Sequence, residues 1–221
     1  ARASAECGEA RDKITAMATS EEATFIAEAV GSLCEPMYRS VEKAADLAQL
    51  HFVEHDMAGS IHQRERTDLT RAHLRRLLQA STLGSWQMHD KTSNGQVLLL
   101  SGMLVLRILH IGPEQSIPAP GLNLARINYY RNPYLGLWGV QASKLIGVWS
   151  VDAETGEASI RIARPVGTWK HAQPNLVDID FPLPRTSADV AALEFVPDDT
   201  GLPLPFTTEE GDEGADGARG W

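Results

Sequence analysis

The chain lacks the features on which several common protein classes depend. Among its 221 residues are only two cysteines, Cys7 and Cys34, which cannot form a disulfide framework and are expected to be buried free thiols. Neither the GxGxxG fingerprint, nor a P-loop, nor a Gly-x-Ser-x-Gly elbow is present. These absences argue against a disulfide scaffold, a nucleotide-binding α/β fold and an α/β-hydrolase.

The chain also lacks a hydrophobic run long enough to cross a membrane. Its most apolar stretch, residues 97–111, is too short to span a bilayer and includes Arg107 and His110. Residues 1–13 are charged and have no apolar segment, so no signal peptide is expected. Lysine is scarce, with 5 residues against 15 arginines, which is typical of a GC-rich genome. We therefore expect a cytoplasmic protein of bacterial or phage origin with no membrane partner.

Negative charge is concentrated at the C-terminal end. Residues 194–221 contain eight acidic residues and one arginine, whereas the other 193 residues, with 21 acidic and 19 basic residues, have a net charge of only −2. Proline, glycine and acidic residues dominate residues 197–221, which predicts a disordered acidic tail. A nearly neutral body does not attract nucleic acid by its overall field, so such binding would need a local basic patch.

The first third of the sequence has helical periodicity. The pattern predicts about four helices: residues 4–19, a second helix capped by Thr19, a third extending to about residue 57, and a fourth over residues 65–81. Pro36 is interpreted either as a kink or as part of the first turn of the third helix.

From residue 86 onward the pattern changes to short apolar segments separated by turn residues. Asn94-Gly95 predicts a hairpin that pairs residues 85–93 with the start of the run 97–111, whose remainder continues as the same or a second strand. Further strands are expected at residues 122–130, 144–152, 158–164 and 176–181, followed by a short helix within 186–195.

Helices followed by strands indicate an α+β fold with a mostly antiparallel sheet of five to seven strands. We expect a helical region at residues 1–83 and a β-rich region at 84–196, packed together as one unit, before the acidic tail at 197–221.

The densest group of arginine and aromatic residues follows the middle of the chain. Such residues are enriched at protein interfaces and also stack on nucleic-acid bases. In a strand over residues 122–130, Tyr129 and Tyr130 would point to opposite faces, so one of them would belong to the core. The proposed partner-binding residues are Arg126, Tyr129, Tyr130, Arg131, Tyr134 and Trp138.

Two other patterns suggest alternative functions. The fourth helix carries arginines that would suit a nucleic-acid-binding helix, although nearby acidic residues also fit an ordinary solvated face: Arg64, Arg71, Arg75 and Arg76. The second pattern is H-x-x-E-H, formed by His51, Glu54 and His55, in which two histidines on one helical face would bind Zn²⁺ and the glutamate would act as a base. It lacks an identifiable third ligand, and an amphipathic helix with half-exposed histidines also explains it.

The sequence thus favours a non-enzymatic interaction or regulatory protein that binds a macromolecular partner through its arginine and aromatic surface. A protein is favoured over a nucleic acid as this partner. The alternatives are a nucleic-acid-binding protein and a metal-dependent hydrolase. No cofactor and no catalytic residue are assigned.

Overall fold

The computed structural model describes residues 13–16, 20–57, 59–90, 96–112, 117–120, 124–131, 143–166 and 177–197. Within these ranges lie four α-helices: α1 (Ser20–Gly31), α2 (Cys34–Glu54), α3 (Gln63–Gln79) and α4 (Leu124–Tyr130). The strands are β1 (Lys13–Ala16), β2 (Gln87–Met88), β3 (Val97–Ser101), β4 (Leu104–His110), β5 (Ser143–Val151), β6 (Ala158–Pro165), β7 (Val177–Pro182) and β8 (Glu194–Pro197). Two short 3₁₀ helices, Ser60–His62 and Ser187–Ala192, complete the described elements.

All these strands form one sheet in the order β2-β3-β4-β5-β6-β7-β1-β8. The neighbours β4 and β5 are parallel, as are β1 and β8, and the other five pairs are antiparallel. The α+β class with a mostly antiparallel sheet is therefore confirmed. Strands β2 to β7 make six, which falls within the predicted five to seven. With β1 and β8 the described sheet has eight strands, more than were predicted.

The predicted hairpins match the observed pairing. β2 pairs antiparallel with β3, and the apolar run continues through a turn at Gly102 into β4 as a second strand. β5 and β6 form the next hairpin. Asn94 and Gly95 themselves lie outside the described residues.

One predicted helix, residues 4–19, is wrong where the structure describes it. Lys13–Ala16 is strand β1, antiparallel to β7 and parallel to β8. The β-branched residues Ile14 and Thr15 favour an extended backbone, and pairing with two distant strands decides the outcome. The second of the predicted helices agrees with α1, and Pro36 occupies the first turn of α2, where its missing N–H costs nothing.

Two hydrophobic cores lie on opposite faces of the sheet. The larger joins buried residues of α1, α2 and α3, such as Ile26, Met37 and Leu74, to strand residues such as Leu106 and Phe181. We call this side the helix face. The smaller core, on the side that we call the α4 face, consists of Ile111, Ile117, Tyr130, Ile146, Val148 and Ala163. The sheet is therefore buried on both faces at its centre, as the continuous apolar run of residues 97–111 indicates.

Cys34 is a free, buried cysteine at the start of α2. Burial raises the pKa of the Cys34 thiol to about 11, so this cysteine is protonated at neutral pH and is a packing residue rather than a nucleophile.

Across the residues that the structure describes, no helix is both long and apolar enough to cross a membrane.

An ion triad ties helix α1 to strands β6 and β7. The Arg164 guanidinium donates to both carboxylate oxygens of Asp178, with Nε to Oδ1 at 2.8 Å, and also to the carboxylate of Glu22. The side chains of Arg164 and Asp178 are only 5% and 3% exposed. Burial alone would lower the pKa of Arg164, but the hydrogen bonds to Asp178 and Glu22 outweigh it and raise that pKa.

Replacing Asp178 by Asn is expected to lower the free energy of unfolding by about 3 kcal/mol, because it removes the buried partner of a buried cation. Its neighbour Asp180 pairs with Arg161 at 2.9 Å nearer the surface, so Asp180→Asn should cost at most about 1 kcal/mol. Urea denaturation of both variants compares the two sites, and equal losses would contradict the assignment of Asp178 as the buried anchor.

Candidate functional site

Helix α4 occupies the segment in which a strand was predicted at residues 122–130. This prediction is wrong for a topological reason. β4 and β5 are parallel, so the chain between them must return to the starting end of the sheet, and a helix is the usual form of such a crossover. Leu124, Ala125 and Arg126 are also good helix formers, which makes the local sequence compatible with this outcome.

Two tyrosines on the inner side of α4 fasten it to the sheet. The Tyr129 hydroxyl lies 2.8 Å from the carbonyl oxygen of Val105 on β4 and 2.7 Å from that of Leu145 on β5. Tyr130 is fully buried, and its hydroxyl donates to the Pro118 carbonyl at 2.7 Å. On a helix the two neighbours both face inward, so the expectation that only one of them belongs to the core does not hold.

A buried arginine beneath α4 was not among the predicted site residues. Arg107 of β4 is 8% exposed, and its guanidinium carbon lies 5.7 Å from the centre of the Tyr129 ring. Its Nε has no hydrogen-bond partner, and no carboxylate in the described ranges forms an ion pair with it. Burial, and then the positive charge of the neighbouring Arg126, lower the pKa of Arg107. We refer to Arg107 and Arg126 as the arginine pair.

The sequence did contain a signal for Arg107. It is the only charged residue within the apolar run of residues 97–111, where a strand buried on both faces was expected. A charged residue at such a position is costly and calls for a specific reason.

The remaining members of the predicted partner-binding group are divided. Arg126 is half-buried and Arg131, just after α4, is exposed. Tyr134 and Trp138 lie outside the described residues. The structure thus brings Arg126, Tyr129 and Tyr130 together with Arg107, and the role of the whole group in binding stays a prediction.

All four arginines of the predicted nucleic-acid-binding group lie on helix α3. Arg71 pairs with Asp68 at 2.8 Å. Arg75 donates to the carbonyl oxygens of Gln96 at 3.0 Å and Asp90 at 3.3 Å, which joins α3 to the β2–β3 segment. Arg64 and Arg76 are exposed. Half of this predicted nucleic-acid-binding group is therefore engaged within the protein.

The H-x-x-E-H residues lie at the exposed end of α2. This helix ends at Glu54, and the His55 Nδ1 atom lies 2.8 Å from the His51 carbonyl, to which it donates as a cap. The two imidazole rings are 4.3 Å apart. Among the described residues no group of three histidine, cysteine or acidic side chains is arranged to hold a metal ion. The third ligand that this motif requires is not found there.

Comparison with known proteins adds no family. No family model matches the chain, and neither a curated protein nor a solved structure matches it. Any functional assignment therefore rests on the site itself.

Tyr129→Phe should lower the free energy of unfolding by about 1–2 kcal/mol, because it removes a hydroxyl shared by carbonyls of two adjacent strands. Tyr130→Phe removes the hydrogen bond to the Pro118 carbonyl and should cost about 1 kcal/mol. Chemical denaturation measures both losses. An unchanged stability for Tyr129→Phe would show that α4 does not depend on this contact.

The buried tyrosines also predict a loss of stability at high pH. Burial raises the pKa of Tyr130 to about 12 and also raises that of Tyr129, whereas tyrosines in an unfolded chain titrate at about pH 10. Above about pH 10 the unfolded state binds fewer protons than the folded state, so the free energy of unfolding falls as the pH rises through this window. Unfolding curves recorded across the window should show a shallower fall for Tyr130→Phe, and identical slopes would refute the assignment.

Proposed function

We propose that the protein is a non-enzymatic binding protein that captures an acidic segment of a partner protein on its α4 face. The arginine pair receives carboxylate groups of the partner. The observation that carries this proposal is Arg107, a buried cation for which the described residues provide no counter-charge.

A comparison within the same sheet supports this interpretation. Arg164 and Arg107 are both buried, at 4% and 8% exposure. Arg164 is neutralised by Asp178 and Glu22, and its pKa is raised, whereas Arg107 faces a second arginine, and its pKa is lowered. Burying a charge without a counter-charge costs several kcal/mol, because the charge loses its hydration. Contact with an aromatic ring offsets only part of that cost. An incoming carboxylate would supply to Arg107 what Asp178 supplies to Arg164.

The surface around α4 offers contacts that suit a peptide. Leu124 is 74% exposed at the start of the helix, and Arg131 is exposed just after its end. An apolar and a cationic contact thus flank the arginine pair, the mixture found at protein interfaces. In this proposal the arginine pair and Arg131 bind the partner. Tyr129 and Tyr130 position α4, and Tyr134 and Trp138 remain predicted contacts.

Charge favours an acidic protein segment over a nucleic acid. Outside residues 194–221 the chain carries a net charge of only −2, so it has no overall positive field that would attract a long polyanion. Nucleic-acid affinity depends on many phosphate contacts along a groove, whereas the arginine pair is compact and Arg71 and Arg75 are engaged internally.

The test uses full-length protein and three fluorescent probes: a peptide of glutamate, glycine and serine, its counterpart with glutamine in place of glutamate, and a single-stranded DNA oligonucleotide. The glutamate peptide should bind most tightly. Arg107→Met should weaken it about tenfold or more, as expected for lost charge-assisted hydrogen bonds. Arg39→Met, which removes an exposed arginine from α2, is the matched control and should change affinity by less than about twofold.

Stability provides an independent readout. Arg107→Met should leave the free energy of unfolding unchanged or raise it, because it removes a buried charge that no described carboxylate pairs with, whereas Arg164→Met should lower it by about 3–5 kcal/mol. Unchanged peptide binding by Arg107→Met would overturn the proposal. Tighter binding of the oligonucleotide than of the peptide would instead favour the alternative based on Arg64, Arg71, Arg75 and Arg76.

A further inference from the structure

A second site lies on the helix face, where α2 and α3 meet the ends of two strands. A cleft of about 420 Å³ opens there, beside the carboxyl ends of the parallel strands β4 and β5. Its volume is within the usual range for small-molecule sites, and the carboxyl ends of parallel strands are a frequent location for them. The residues that define its chemistry are Asp46, Arg66, Thr70, His110, Trp149 and Asp152.

Two rings from adjacent strands line the cleft. His110 and Trp149 are partners in the β4–β5 register, and their ring centres lie 4.6 Å apart in an edge-to-face arrangement. Burial, and then the charge of Arg71, lower the pKa of His110, so its imidazole is neutral at neutral pH. A neutral imidazole offers one hydrogen-bond donor and one acceptor.

Three hydrogen-bond acceptors belong to the rest of the lining. The Thr70 hydroxyl donates to the Arg66 carbonyl at 2.9 Å, which leaves its oxygen as an acceptor. Asp152 accepts hydrogen bonds from the backbone N–H groups of Glu154 and Thr155, and these lower the pKa of its carboxyl. Asp46 on α2 provides a second carboxylate.

The positive charge in the lining does not balance these carboxylates. Among the described residues that line the cleft, Arg66 is the one cationic residue, and its guanidinium carbon lies 5.4 Å from the centre of the Phe52 ring. Two carboxylates, one guanidinium and a neutral imidazole give the cleft a net negative charge. Such a lining disfavours anions and suits a ligand that is rich in donors.

We propose that this cleft binds a small hydroxyl-rich molecule that is neutral or positively charged. Its hydroxyl or amine groups donate to Asp46, Asp152 and Thr70, and its carbon skeleton lies against the half-buried His110 ring. This site is separate from the arginine pair, because Arg107 and His110 are three residues apart on β4 and project to opposite faces.

Three sugars that share one ring and differ in charge test the proposal: glucose, glucosamine and glucose 6-phosphate. Each is titrated into isotopically labelled full-length protein while the NMR signals of the His110 and Trp149 side chains are followed. Glucosamine should bind most tightly, glucose more weakly, and glucose 6-phosphate least. Asp46→Asn should weaken glucosamine about tenfold, as for a lost charge-assisted hydrogen bond. Glu35→Gln, an exposed substitution on the same helix outside the cleft, should leave the affinity unchanged.

The sugar titrations test this cleft independently of the proposed function. Arg107→Met should bind glucosamine as the unaltered protein does, so a failure of peptide binding leaves this test intact. The proposal is overturned if none of the sugars shifts the His110 and Trp149 signals, if glucose 6-phosphate binds most tightly, or if Asp46→Asn has no effect.

Discussion

The parallel pairing of β4 with β5 is the constraint on which both candidate sites depend. In a mostly antiparallel sheet, this pair forces the chain to cross from one end of the sheet to the other, and the crossover carries α4. α4 then covers the face opposite to α1, α2 and α3, so the centre of the sheet is buried on both sides. The same pairing places His110 beside Trp149 at the edge where the cleft opens.

Because the centre of the sheet is buried on both faces, a charged side chain there has an electrostatic cost. Two arginines of the sheet have different surroundings. Arg164 has acidic partners from another strand and from a helix, and the resulting triad ties distant segments together. Arg107 has an aromatic ring and a second arginine as its neighbours. The first arrangement stabilises the fold and is complete, while in the second the described residues supply no negative charge. This difference, rather than the presence of arginine, distinguishes a structural residue from a candidate binding residue.

Local signals in the sequence predicted the elements that depend on local interactions. Helical periodicity, the position of Pro36 and the turn-separated strands of the β5–β6 hairpin all agree with the structure. The two errors, residues 4–19 and 122–130, occur where distant partners decide the outcome: β1 exists because β7 and β8 flank it, and α4 because β4 and β5 are parallel. Short segments have weak intrinsic preferences, so such tertiary context overrides them.

The candidate sites escaped motif searches for a related reason, because each assembles residues that are remote in the sequence. Arg107 meets Tyr129, and His110 lines a cleft with Asp46 and Asp152. The sequence nevertheless contains one indication of both candidate sites. Arg107 and His110 are the only titratable residues in the apolar run 97–111, and alternation along β4 sends them to opposite faces. A strand buried on both faces tolerates polar residues only where something compensates them. The two exceptions within the most apolar segment therefore indicate where both candidate sites lie, although only the fold shows which residues accompany them.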